Sequence, residues 1–296
     1  MHVCVVGADS AIGAALTQAL HTRGHQVVGT TRRAENVRGP DKIFLDLAAE
    51  AVTSLPATDV VVICAAMARF EDCRRYPDQA RCVNVFAPKK IAERALHGGG
   101  RVILLSTSAV FDCLKPRRRA DEPRTPRSMY GCLKAEAEAE LLSLGARTSV
   151  LRLTKIVQPG RGIFQTWIEE LSRGGSVKAF MDHTLCPLPL SAVVDALAAI
   201  VENREDGIFQ VSGADDLSYA EAARLLAGAV GVSRDNVTAV PAAVAGLAPE
   251  DVTPFTSLDT SRLHGLTGFV SPNARDVLLG VYARELSGKS VGSVQP

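Results

Sequence analysis

The first half of the chain alternates short apolar runs with longer stretches of helical spacing. HVCVV, HQVVGT, KIFLDL, DVVVIC and RVILLS are rich in Val and Ile, and segments such as AALTQALHTRG lie between them. Strands this continuously apolar are covered on both faces, as in parallel sheets flanked by helices. Alternation of strand and helix gives βαβ units, so the pattern predicts an α/β protein with a doubly wound parallel sheet. TSVLRLTKIV and GIFQVSG add two strands, and AEAEAELLSLG and YAEAARLLAGAVG two Ala-rich helices that end at glycine. From about Pro159 the Pro and Gly density rises and strands thin out. We read residues 1–158 as the sheet domain and 159–296 mainly as a smaller C-terminal cap, with one or more segments returning to the sheet. The cap is expected over the C-terminal edge of the strands, where α/β sheets bind ligands.

A length of 296 residues with 47% apolar side chains agrees with one large core and a smaller companion. Net charge +1 and a pI near 7.6 give no large field of one sign, which argues against nucleic acid or a membrane as partner and for a small molecule. The longest apolar stretch, Cys186 to Val201, contains two prolines and Asp195 and falls short of the ~20 apolar residues that a bilayer helix needs. MHVCVVGADS enters a strand pattern directly and has neither the basic nor the long apolar region of a secretory signal, so a cytoplasmic protein is expected. Seven cysteines include no CxxC pair. Reduced thiols and no metal site are the expectation, because the nine-residue spacing of Cys64, Cys73 and Cys82 puts them on different faces.

After the first strand comes Gly7-Ala8-Asp9-Ser10-Ala11-Ile12-Gly13, opening a helix near Ile12. Strand, Gly-rich turn and helix in this order suit a dinucleotide pyrophosphate. Amides at the helix N-terminus face it, Gly7 permits the tight turn and Gly13 permits close helix packing. This makes the sheet domain Rossmann-type. Ser10 stands at the middle glycine place, where its Cβ narrows the approach and its hydroxyl offers a donor. A strand-to-helix turn without ligand is the plain alternative. The second strand leads into Arg32 and Arg33, with no Asp or Glu for a ribose 2′-OH, and Arg suits a 2′-phosphate. NADP(H) is thus favoured over NAD(H), unless the arginines are merely solvated. Asp46 and Leu47 stand where they can pair with and cover an adenine, and Ala65, Ala66 and Met67 where they can approach the cofactor.

Tyr130 and Lys134 lie four residues apart in PRSMYGCLKAEAEAELL and share a helix face. An ammonium held beside a phenol stabilises the phenolate and draws its pKa toward neutrality, which makes a proton relay. Alone, such a pair reads as a surface contact. Its place after the fifth strand, which ends in Ser106, Thr107 and Ser108, changes that reading, although these hydroxyls can also be strand-end caps.

In order, GADSAIG, TTRR, Asp46-Leu47, CAA at 64, Asn84 in CVNVFAP, STSAVF, YGCLK and LRLTKIV resemble the extended short-chain dehydrogenases, a family of nucleotide-sugar reductases, epimerases and dehydratases. Within it the chain is most similar to the dTDP-4-dehydrorhamnose reductase-like and NAD-dependent epimerase-like proteins, on CAAMARFEDCRRYPDQARCVN, AVFDCLKPRRRADEPRTPRSMYGCLKAEAE and SLDTSRLHGLTG. The resemblance selects Thr107 as the catalytic hydroxyl, makes Asn84 structural, and gives Lys134 a second role, holding the nicotinamide ribose. Ser10, and Cys113 where a Gly follows Phe-Asp, depart from the pattern.

The resemblance implies an NAD(P)-dependent oxidoreductase: hydride passes from NADPH to the ketone of a nucleotide sugar, Tyr130 protonates the alkoxide and Thr107 orients it. Dehydratases of the family carry Asp-Glu after the catalytic Thr, and Ser108 and Ala109 stand there instead. An epimerase, or a non-catalytic NADP-binding regulatory protein, is the alternative. A homodimer is compatible with the resemblance. The substrate is not legible: Phe164, Trp167 and MDHTLCPLPL line its pocket or form the core of the cap.

Overall fold

A computed structural model describes residues 1–49, 55–160 and 162–287. The strands are β1 (His2–Val6), β2 (Gln26–Thr31), β3 (Lys42–Phe44), β4 (Val60–Ile63), β5 (Arg101–Thr107), β6 (Thr148–Leu153), β7 (Lys155–Val157), β8 (Val177–Phe180), β9 (Thr184–Leu185), β10 (Pro187–Pro189), β11 (Gly207–Val211), β12 (Leu217–Ser218) and β13 (Val237–Val240). The helices are α1 (Ala11–Thr22), α2 (Phe70–Arg75), α3 (Pro77–Arg81), α4 (Ala87–His97), α5 (Met129–Ser143), α6 (Ile163–Ser172), α7 (Leu190–Asn203), α8 (Tyr219–Ala229), α9 (Ser261–Thr267), α10 (Ala274–Val281) and α11 (Ala283–Leu286). A π-helical turn at Cys82–Phe86 joins α3 to α4.

Seven parallel strands form one sheet in the order β11-β6-β5-β4-β1-β2-β3. Side chains alternate across it, so each strand feeds two cores. Val3, Val5, Val60 and Val62 pack with Leu16 and Leu20 of α1 and Leu197 and Ile200 of α7. Cys4, Val6, Val61 and Ile63 pack with Ile91 of α4 and Leu133 and Leu141 of α5. Both faces are thus buried, as the continuous apolar runs require. The chain leaves β1 toward β2 and β3, then returns to the other side with β4, which puts the topological switch point between β1 and β4.

The cap is built on paired β8 and β13, with α6, α8 and α10 sharing one apolar cluster. Phe164 and Trp167 are only 3% and 5% exposed, in edge-to-face contact with each other and in contact with Tyr219. They are core of the cap. Parts of the C-terminal half lie on the sheet domain: β11 pairs with β6, and α7 packs beside α1. The segment around Leu258 also returns, bridging to Arg118, with Gln210 Nε2 donating to the carbonyls of Arg118 and Asp259 at 2.9 Å each. Among the described residues no helix is long and apolar enough to cross a membrane, and no cluster of three His, Cys, Asp or Glu is arranged for a metal ion.

Helix α1 begins at Ala11, one residue before the expected start, and Gly13 presses against the preceding turn. A Cβ at Gly13 would lie 2.3 Å from the Gly7 carbonyl oxygen, and backbone cannot yield that much cheaply. Gly13→Ala is expected to cost about 1–3 kcal/mol through overpacking. A lowered midpoint of denaturant unfolding would show it; an unchanged midpoint would contradict the close approach.

Candidate active site

The turn after β1 has the tight form the glycine spacing predicts. Gly7 has φ +87°, and a Cβ there would sit 2.8 Å from that of Ala65, so the turn also lies against the segment following β4. Ser10 caps α1: its Oγ accepts from the Gly13 amide at 3.0 Å. The amides of Ala11 and Ile12 have no carbonyl four residues earlier inside the helix, which leaves them free for an anion. A tight turn whose glycines allow this close packing, at a helix N-terminus, fits a dinucleotide pyrophosphate.

Arg32 and Arg33 are exposed at the end of β2. The absence of an acid from this strand end does not leave the place without one, because Asp9 reaches it from the glycine turn. Its carboxylate accepts from Thr31 Oγ1 and from Asn36 Nδ2 at 2.9 Å, and pairs with Lys42. Partial desolvation raises its pKa, but the hydrogen bonds from Lys42, Thr31 and Asn36 outweigh it and hold the group at about 2. Neither Asp9 nor Lys42 was marked by the motif, since their meeting depends on the β1–β2–β3 order. Lys42 offsets the charge of Asp9, which leaves the two arginines in excess.

Asp46 accepts from the Ala48 amide at 2.9 Å and shapes the turn after β3, while Leu47, 6% exposed, packs into the sheet core. Ala65 and Met67 are half-buried and Ala66 is exposed beside the crevice. Met67 is clamped at both polar atoms: its amide donates to Asn84 Oδ1 and its carbonyl accepts from Asn84 Nδ2, each at 2.9 Å. Asn84 is buried in the π-helical turn and fixes this loop.

At the end of β5 the three hydroxyls separate. Ser106 and Ser108 are buried, Ser106 donating to Glu138 at 2.5 Å, and Thr107 is the half-buried one between them. Thr107 Oγ1 accepts from the Ala109 amide at 3.2 Å. The capping role is therefore present, and the hydroxyl proton remains available for another acceptor. Gly131 brings the next element close: a Cβ there would lie 2.1 Å from the Ala109 carbonyl oxygen. The first turn of α5 thus rests on the turn that follows Thr107, and Ser128 caps it by accepting from the Gly131 amide at 3.1 Å.

Tyr130 sits in that first turn with its ring 5.6 Å from the ring of Phe70. Lys134 follows one turn later and is 2% exposed. The expected lowering of the phenol pKa is not what the structure gives: burial pushes Tyr130 above the usual range, and Cys73 acts in the same direction. Burial holds Lys134 at about 8, against the opposing charges of Glu138 and Cys64. Burial thus disfavours the charged form of each group, yet at neutral pH Lys134 is still an ammonium while Tyr130 keeps its phenolic proton. Phe70, Ala109, Phe111, Arg127, Ser128 and Thr253 line a small hollow next to the turn that follows Thr107.

Residues 1–285 match the family described as RmlD substrate binding domain. The chain belongs to this family. It is 25% identical to the dTDP-4-dehydrorhamnose reductase of Mycolicibacterium smegmatis over 79% of this chain and 71% of that one. It is 26% identical to a probable low-salt glycan biosynthesis reductase of Haloferax volcanii over 96% and 98% of the two chains. A crystal structure of the Bacillus anthracis dTDP-4-dehydrorhamnose reductase, solved in complex with NADP, shares the fold with a TM-score of 0.81 at 17% identity, covering 96% of this chain and 99% of that one. Against the family pattern, Cys113 takes φ +59°, the left-handed region that favours glycine. The fold absorbs this departure by burying the side chain, and burial raises the thiol to about 12.

The depressed Lys134 carries a linkage consequence. Its folded pKa of about 8 lies below the ordinary 10.5, so the unfolded chain binds the extra proton between these values. Its burial therefore costs stability fully below about pH 8, and the cost is relieved as pH rises toward about 10.5. Lys134→Met should raise the unfolding free energy near neutral pH by on the order of 2–3 kcal/mol, and the gain should vanish at the alkaline end. A gain independent of pH would contradict this origin.

Proposed function

We propose that the protein is an NADP(H)-dependent reductase that reduces the ketone of a nucleotide sugar, of the dTDP-4-dehydrorhamnose kind. The observation that carries the reading is that the first turn of α5, with Tyr130 and the buried Lys134 one turn apart, rests on the turn that follows the half-buried Thr107 hydroxyl. When bound, NADPH supplies the hydride. Gly7, Ser10, Ala11, Ile12 and Gly13 would hold its pyrophosphate and Arg32 and Arg33 its 2′-phosphate, with Asp46 and Leu47 serving its adenine and Ala65, Ala66 and Met67 the rest of the cofactor.

Thr107 donates to the substrate oxygen and fixes the carbonyl. As negative charge develops on that oxygen, Tyr130 transfers its phenolic proton to it, and the product leaves as an alcohol. The raised phenol pKa suits this direction, since the proton is present at every physiological pH. Lys134 donates toward the nicotinamide ribose and stabilises the phenolate left behind, which solvent then reprotonates. One ketone, one NADPH and one proton give one alcohol and one NADP⁺.

Tyr130→Phe should keep the fold and the affinity for NADPH while turnover falls by about 10²–10⁴-fold, the usual worth of general acid catalysis. Loss of NADPH absorbance with a dTDP-linked 4-keto sugar measures this. An epimerase or a regulatory protein consumes no stoichiometric NADPH, and an unaffected Tyr130→Phe rate would refute the assignment. Arg32→Ala should weaken NADPH by roughly 1.5–3 kcal/mol and leave NADH nearly unchanged; equal affinity of the intact protein for the two would overturn the cofactor choice.

A further inference from the structure

The layer between sheet and α5 holds a carboxylate that the mechanism above does not use. Glu138 is 0% exposed, one turn beyond Lys134 and two beyond Tyr130 on the same helix. Its Oε1 accepts from Ser106 Oγ at 2.5 Å and from Arg152 Nε at 3.0 Å; its Oε2 accepts from Arg152 Nη2 at 2.7 Å and faces Arg124 Nη1 at 3.5 Å. Arg152, itself buried, also donates to the Ala120 carbonyl at 3.2 Å and to Gln210 Oε1 at 3.3 Å, and lies over the Phe111 ring at 4.9 Å. Stability alone does not account for such a pair, because desolvation offsets its attraction and an apolar pair of the same volume often serves as well.

We propose that Glu138 is a positioning residue of the site: one buried carboxylate, one turn from Lys134, ties the strand end that carries Thr107 to the helix that carries Tyr130 and Lys134. Ser106 is the chain neighbour of Thr107, so the bond from Ser106 to Glu138 sets how far β5 sits from α5 at the reacting end. Arg152 on β6 holds the same carboxylate from the next strand, which leaves it no other rotamer with its bonds satisfied. The charged and titratable groups around the helix divide by face. Glu138 and Cys64 act on Lys134, Cys73 of α2 acts on Tyr130, and Arg152 and Arg124 bind Glu138. Glu136 and Glu140 point outward to Arg81 of α3 and Lys89 of α4.

The inference rests on the reductase reading for its effect on rate, but not for its effect on Lys134. The test uses Glu138→Gln and the charge-free double variant Glu138→Leu/Arg152→Met. Lys134 is followed in cofactor-free protein by NMR of ¹³C-labelled lysine, with its signal assigned through Lys134→Met. The double variant is expected to recover the unfolding midpoint of the intact protein, while Lys134 titrates about one pH unit lower in both variants. Turnover should fall about 10- to 100-fold, as for a sub-ångström misplacement. An intact titration and full turnover in the double variant would overturn the proposal, since the pair would then only fill space. If neither variant folds, Glu138→Asp decides: it keeps the charge but withdraws it by one methylene, and an unchanged Lys134 titration refutes the role. Should the intact protein oxidise no NADPH, the reductase reading fails by itself and the lysine titration still decides this one.

Discussion

A sheet covered on both faces has no water to offer a charge, and α5 carries two charges into that layer. The pattern AEAEAE repeats every two residues while the helix turns every 3.6, so alternate glutamates cannot share one environment. Glu136 and Glu140, four apart, emerge on the outer face and meet Arg81 and Lys89. Glu138 between them must point inward. Its burial is tolerable only because Arg152, Ser106 and Arg124 meet it there, and that requirement fixes the register of α5 against β5 and β6. Tyr130 and Lys134 inherit their places from this register.

Much of the sheet was legible because its strands are short, apolar and bounded by turns, and because both faces are buried. β1, β4, β6 and β11 fall within the runs that the hydrophobic pattern marks, and β2 and β5 run one residue past theirs. β3 keeps only Lys42–Phe44 of KIFLDL, since an edge strand has one neighbour and Asp46 bends the chain by accepting from Ala48. The cap was harder to read. Its strands pair in twos, at β7 with β10, β8 with β13 and β9 with β12, and its apolar residues serve a core assembled from distant segments. Phe164 and Trp167 could be assigned to a pocket or to a core only once Tyr219 and Tyr282 were placed beside them.

The site divides in the same way. Tyr130 with Lys134, and Gly7 with Gly13, are local spacings, and a local spacing survives into three dimensions whenever the helix or turn forms. Asp9 with Lys42 and Asn84 with Met67 are pairs separated by 33 and 17 residues, and no periodicity announces them. The choice of Thr107 among three hydroxyls rested on resemblance, and accessibility agrees with it. Ser106 is bonded to Glu138 and Ser108 is buried, which leaves Thr107 as the half-buried hydroxyl of the three.

The resting electrostatics carry the last step. Burial disfavours both the phenolate and the ammonium, so at neutral pH the phenol is neutral and the ammonium is held with little to spare. A site in this condition does not stabilise a neutral ketone much more than water does. It responds to charge that appears during the reaction, because a developing oxyanion in a dry surrounding attracts O–H and N–H donors far more strongly than the carbonyl it came from. On the proposed mechanism, the cost of keeping Lys134 and Tyr130 away from water is thereby converted into selective binding of the transition state, which is the only binding that raises a rate. Glu138 belongs to this balance: without its charge the ammonium would be lost to burial, and if it touched the reacting atoms directly it would repel the very oxyanion the site has to hold.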